Sequence, residues 1–179
     1  VLLAQVDQAI NYNSHDVRFR QLKLNVLNHA YQQLGDSQFI EQMKAEYAEI
    51  LAKEPMNYQH YLQYAQFLWD IGEKDEAIEL RLQALEVAPW QQTVYEEMVA
   101  SGLAYLEEME AEGQLDTSLL DRLIQVMEQY EARIVQQEEA PEGLYLSARI
   151  RRNYDHQLNM AQVYLYYEKY TEALAALRE

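Results

Sequence analysis

The chain has 179 residues, a formal charge of −16 at pH 7 and no cysteine. Disulfide frameworks and thiolate metal sites are therefore excluded, and so acidic a balance argues against general nucleic-acid binding and against adhesion to anionic lipid. Only 5 Gly and 3 Pro leave few turns, and the abundant Leu, Ala, Glu and Gln favour helix, so nearly the whole chain reads as helical.

The first segment, Leu2 to Tyr12, places Leu3, Val6, Ala9 and Ile10 on one face at helical spacing. It reads as the second helix of a repeat. Asn13 or Ser14 is placed to cap the next helix, because their side-chain oxygens accept from free backbone N–H groups. That helix spans about His15 to Leu34, with Phe19, Leu22, Val26, Leu27, Ala30, Tyr31 and Leu34 as its buried stripe. Gly35 stops it, since glycine takes the left-handed conformation without steric cost.

Asp36 or Ser37 caps a third helix to about Lys53, with Phe39, Ile40, Met43, Tyr47, Ile50 and Leu51 inward. Pro55 blocks its continuation. A central pair follows, Asn57 to Ile71 and about Lys74 to Val87, hinged at Gly72 and closed by Pro89, which stands 34 residues after Pro55. Trp90 to about Glu112 would be a helix roughly 34 Å long at about 1.5 Å per residue, carrying Val94, Met98, Leu103, Leu106 and Met109 inward. After a turn at Gly113, Asp116 and Thr117, Leu119 to about Gln137 returns with Leu120, Leu123, Ile124, Met127, Tyr130 and Ile134.

The run EEAPEG, Glu138 to Gly143, is the last clear break. Leu144 to about Tyr167 is one long helix or two broken near Asn153 to Asp155, Glu168 to Thr171 is a turn, and Glu172 to Glu179 starts a further helix. About nine helices in antiparallel pairs result, with no linker long enough to split the chain into two domains. No apolar run approaches the roughly 20 residues that span a bilayer, so no direct membrane insertion by this segment is expected. The N-terminal VLLAQVDQAI is too short and polar for a signal peptide. It has no initiating Met and the chain ends inside a helical pattern, so both ends read as cut from a longer protein.

No catalytic set stands out. His15, His29, His60 and His156 give no i, i+4 metal pair and no HExxH motif. Glu96, Glu97, Glu107, Glu108, Glu110 and Glu112 read as a solvated helix face rather than an acid–base pair, which needs a shaped cleft. Gly35, Gly72, Gly102, Gly113 and Gly143 are isolated, so no phosphate-cradling loop is formed. Arg149, Arg151 and Arg152 make one basic cluster, placed to pair with Glu138, Glu139 and Glu142. No catalytic residue, cofactor or metal is expected. Tyrosine is the odd abundance, 15 copies against 3 Phe, fit for packing between helices with hydroxyls reaching water or a partner.

The central unit, residues 58–91, resembles the tetratricopeptide repeat family. Tyr61, Tyr64 beside Ala65, and Leu68 match its first helix; Ala77, Ala84 and Pro89 match its second. Arg81 departs, since the family usually has an aromatic there; its stem would pack while its charge snorkels outward, or it would loosen the contact. Residues 154–179 match again, with Met160, Ala161, Tyr164, Ala173 and Leu177 in place, but Gln157 and Glu168 depart. The resemblance implies an all-α fold, antiparallel helix pairs stacked as a right-handed α-solenoid over residues 1–179. It also implies a concave side lined by first helices. Gln59, Leu62, Gln66, Trp69 and Asp70 then face the groove in the central unit, and Asp155, Leu158, Gln162, Leu165 and Tyr166 in the C-terminal one. These faces lack the Lys and Asn pair with which some members clamp a peptide C-terminal carboxylate, so no such clamp is expected.

The run ALEVAPWQQTVYEEM and the long helix ending LAYLEEMEAEG are also similar to the soluble repeat tails of bacterial O-antigen ligase or polymerase-like membrane proteins. Two readings follow. The first is a non-enzymatic module that binds a protein or peptide partner or scaffolds a complex. The second is an extracytoplasmic accessory domain of such a membrane protein, assisting glycan transfer or touching glycan, with the chemistry elsewhere. The sequence assigns no compartment.

Overall fold

Local capping decides where the helices start and stop. A computed structural model describes residues 2–114, 117–138, 157–159 and 161–168. Seven helices are α1 (Leu2–Tyr12), α2 (Val17–Leu34), α3 (Gln38–Lys53), α4 (Tyr58–Asp70), α5 (Lys74–Val87), α6 (Gln92–Ala111) and α7 (Thr117–Glu138). Residues 157–159 and 161–168 are helical too, and no strand occurs among the described residues. The protein is thus all-α, as its composition predicts. None of the described helices is long and apolar enough to cross a membrane.

α1 and α5 have the bounds that the sequence implies. α2 starts later than expected, because its cap is Asp16 and not Asn13 or Ser14: Asp16 Oδ1 accepts from the Arg18 N–H at 3.0 Å. At the other end Gly35 takes φ 66° and donates to the Tyr31 carbonyl at 2.8 Å. Asp36 does the capping of α3, accepting from the Gln38 N–H at 2.9 Å, while Ser37 makes no capping bond through its side chain. Asn57 caps α4 through the Gln59 N–H at 3.2 Å. α6 has 20 residues, so it is roughly 30 Å long rather than roughly 34 Å.

Close backbone packing joins each helix to its neighbours in the chain, α1 to α2 and onward to α6 with α7. Ala65, Ala77 and Ala84 have no exposed surface; without a side chain beyond Cβ they let α4 and α5 approach closely. Tyr47 of α3 stacks on Tyr64 of α4, with ring centroids 4.8 Å apart. Further along, Tyr95 stacks on Tyr130 at 4.8 Å inside the largest core cluster, which runs from Ile78 through α6 and α7 and takes in Val163.

The α2 stripe is corrected. Leu22 and Leu34 are exposed, 47% and 71%, whereas Val17, Leu24 and Leu27 are buried. The true inner row is Val17, Arg20, Leu24, Leu27 and Tyr31, spaced three and four apart. Arg20 hid it, because a cation interrupts the apolar count. Arg20 turns inward to Glu46 at 2.5 Å, and Lys23 joins the same carboxylate and Asp7, both at 2.8 Å, tying α1, α2 and α3 together.

The C-terminal unit is also corrected. Val163 is fully buried and Tyr166 packs against the main core, while Ala161 and Tyr164 are exposed. The inward face is therefore rotated from the one the repeat spacing implies. Glu168 is helical, not the start of a turn. Asp155, Met160, Ala173, Leu177, the 172–179 helix and the cluster of Arg149, Arg151 and Arg152 lie outside the described residues.

Candidate binding groove

Two hollows flank α4. One, of about 540 Å³, lies between α4, α5 and α6; its walls include Leu62, Gln66, Trp69, Arg81, Glu97 and Ser101. The other, of about 380 Å³, lies between α2, α3 and α4; its walls include Asn25, Asn28, Tyr31, Tyr47, Phe67 and Asp70. Gln63 and Gln66 line both, so the exposed face of α4 forms the crest between them. α2, α4 and α6 thus each contribute walls to this surface.

The polar surface of these hollows is mostly uncharged amide. Asn25, Asn28, Gln32 and Gln63 are exposed, and none of their side chains bonds to another described residue. Gln66 donates to Asp70 Oδ1 at 2.7 Å. An amide offers a donor and an acceptor at once, which is what a peptide group offers in return. Aromatic walls supply apolar contact beside them.

The floor of the larger hollow holds a charge. Arg81, on α5, is only 4% exposed. Its guanidinium lies over the Trp69 ring, 5.1 Å from the centroid, and its Nη2 donates to Gln66 Oε1 at a long 3.4 Å. Nε and Nη1 have no partner. Burial pushes the Arg81 pKa down from its ordinary value, partly offset by the fields of Glu97 and Asp70. Of the two expectations for Arg81, outward snorkelling does not occur: Gln66 and Trp69 cover its guanidinium at the bottom of the hollow.

Trp69 both packs and lines the groove. Its ring meets the edge of Tyr105 on α6 at 6.2 Å and has the Lys74 ammonium 5.2 Å from its centroid. Lys74 in turn pairs with Glu108. Both contacts fix the ring's orientation.

The residues expected at the groove divide accordingly. Leu62, Gln66, Trp69 and Asp70 are brought together around α4. Gln59 is exposed but its place in the first turn puts it beyond both hollows. Leu158, Gln162 and Leu165 are exposed without lining either one, and Tyr166 belongs to the core. Sequence reasoning missed Arg81, Glu97 and the α2 amides. Arg81 was signalled by its place between Ala77, Ile78, Ala84 and Leu85, all inward positions where a cation is out of character.

Two other features bear on chemistry. His60 is buried at the start of α4, with Nε2 2.8 Å from Glu54 and 3.0 Å from the Asn57 amide. The contact with His60 first, and then a hydrogen bond donated by the Asn57 amide to Glu54 Oε2 at 3.2 Å, hold the Glu54 carboxyl below its usual range. The trio ties the end of α3 to the start of α4. Among the described residues no three His, Asp or Glu side chains gather as a metal site requires.

No protein-family model matches the chain, and no curated protein matches it.

Proposed function

We propose that the chain is a tetratricopeptide-like helical-repeat module, an α-solenoid that holds an extended segment of a partner protein across α4 and performs no chemistry itself. The observation that carries this is the pair of hollows with unspent amides on α2 and α4. A segment lying over both hollows crosses the α4 crest, where Gln63 and Gln66 line each of them. The glycan-contacting alternative calls for a bare aromatic platform in the groove. Trp69 is already engaged by Arg81, Lys74 and Tyr105, which favours the protein segment.

The test uses a displayed library of random heptapeptides. The protein should enrich a set of binders, and the double change Gln63→Ser with Gln66→Ser should abolish capture while leaving the circular dichroism intact. Both side chains are exposed, so folding should survive. Capture that persists in the double variant would remove α4 from the binding surface.

A further inference from the structure

Tyrosines aside, three polar or charged side chains are buried among the described residues: Glu46, His60 and Arg81. Two of them are answered from within the fold. Glu46 takes both Arg20 and Lys23, and His60 takes Glu54. Arg81 is not. No described carboxylate comes within ion-pair distance of it, two of its nitrogens lack any acceptor, and its one hydrogen bond is long. A guanidinium is a rigid fork that matches a carboxylate with two parallel bonds. Here the fork is held against Trp69 at the floor of an open hollow.

We infer that the hollow between α4 and α6 takes the side-chain carboxylate of an Asp or Glu in the bound segment, seated on the Arg81 guanidinium. This rests on the protein-binding reading of the groove and adds its specificity. Gln66 is the movable cover: its amide nitrogen already has Asp70 as acceptor, so releasing its long contact to Arg81 costs little. Glu97 lines the same hollow from α6 without pairing with Arg81, and its side chain is exposed. It opposes an incoming carboxylate through space, so it sets a threshold that a weakly held acidic segment does not pass. The chain's net charge of −16 repels acidic segments at long range, and salt screens that repulsion before it weakens a buried contact. Preference for the acidic residue therefore persists as salt is raised.

The test selects random heptapeptides on the unaltered protein and on Arg81→Gln, then compares a selected peptide with its Glu→Gln or Asp→Asn analogue by fluorescence anisotropy. The expected result is one acidic position shared by the binders. Neutralising it should weaken binding about ten- to a hundredfold, the range of a charged hydrogen bond. That preference should vanish in Arg81→Gln, and Glu97→Gln should tighten the acidic peptide while leaving the neutral analogue unchanged. Binders with no common acidic position, or the same preference in Arg81→Gln, would overturn the inference and leave the groove intact. Failure to select any peptide would end both. Should Arg81→Gln not fold, Glu97→Gln decides alone: equal affinity for the acidic peptide in that variant refutes the site.

Discussion

Tyr61 and Tyr95 stand 34 residues apart, and each donates its phenolic hydrogen to the carbonyl of a proline six residues back, Pro55 and Pro89, at 3.0 Å. One period of the chain thus rebuilds the same joint. The proline that bars a helix from continuing also supplies the acceptor that pins the next helix. α6 is therefore pinned near its start as α4 is, although it is 20 residues long against 13 and lacks the side-chain cap that Asn57 gives α4.

The two joints differ in burial, which orders the effects of removing the hydroxyl. Tyr95 is buried and its carbonyl partner has little water to turn to, so Tyr95→Phe should cost about 1 kcal/mol. Tyr61 is half-buried, and Tyr61→Phe should cost less, because water replaces the lost bond. Urea unfolding of the two variants checks the order. A larger loss at Tyr61 would mean that the joint does not act through its hydrogen bond.

Gly102 of α6 packs directly against the Leu123 side chain of α7. A Cβ built there would sit 2.5 Å from Leu123 Cδ2 and 3.0 Å from Cδ1, and Leu123 is fully buried with nowhere to swing. Gly102→Ala gains about 1 kcal/mol of helix propensity but overpacks the contact at about 1–3 kcal/mol. Net destabilisation is expected. Leu123→Ala should cost less in the Gly102→Ala background than alone, since the new methyl fills part of the cavity; chemical denaturation of the four proteins in the cycle measures the coupling.

How far the sequence carried this architecture depended on the kind of residue. Gly35, Pro55, Gly72 and Pro89 placed the breaks, because their backbone limits act without reference to neighbours. The α4–α5 pair was legible through Ala65, Ala77 and Ala84. The inner row of α2 was not, since Arg20 sits on it and is tolerated only because Glu46 arrives from α3, twenty-six residues on. The C-terminal face was misphased for a related reason: Tyr164 fits the repeat spacing, but Val163 and Tyr166 are the residues that meet the core. Leu62, Gln66, Trp69 and Asp70 line the hollows from α4, as their helical spacing places them together. Arg81 and Glu97 line the larger one from α5 and α6, which no spacing rule within one helix reveals.

Asp16 gives a pH signature. Its hydrogen bonds from the Arg18 side chain and backbone hold its carboxyl down to about 2, from the ordinary 3.8. A depressed folded-state pKa adds stability that is complete above the unfolded value and is lost as pH falls through the folded one. The contribution is therefore full above about pH 4 and disappears toward pH 2. Asp16→Asn keeps an acceptor for the Arg18 N–H but cannot titrate, so its unfolding midpoint should vary less with pH across that window. Glu54, lowered in the same direction, will leave a residual slope. Parallel curves for Asp16→Asn and the unaltered protein would show that the cap does not couple to protonation.

Arg81→Met separates the fold's need for the stem from any need for the charge. The thioether side chain keeps the length and apolar packing of the arginine beneath Gln66 and beside Trp69. It removes two donor nitrogens that nothing in the described structure satisfies. Replacing a buried charge by an apolar side chain of similar volume is commonly neutral or stabilising. Stability should be unchanged or up to about 2 kcal/mol greater, whereas Arg81→Ala should lose stability through the missing stem. A guanidinium kept at the expense of the fold is one that serves the groove, so the same Arg81→Met protein should lose its acidic binders as it gains stability. If instead Arg81→Met unfolds more readily than Arg81→Ala in a thermal melt, the charge is answered within the fold and the argument for an incoming carboxylate loses its ground.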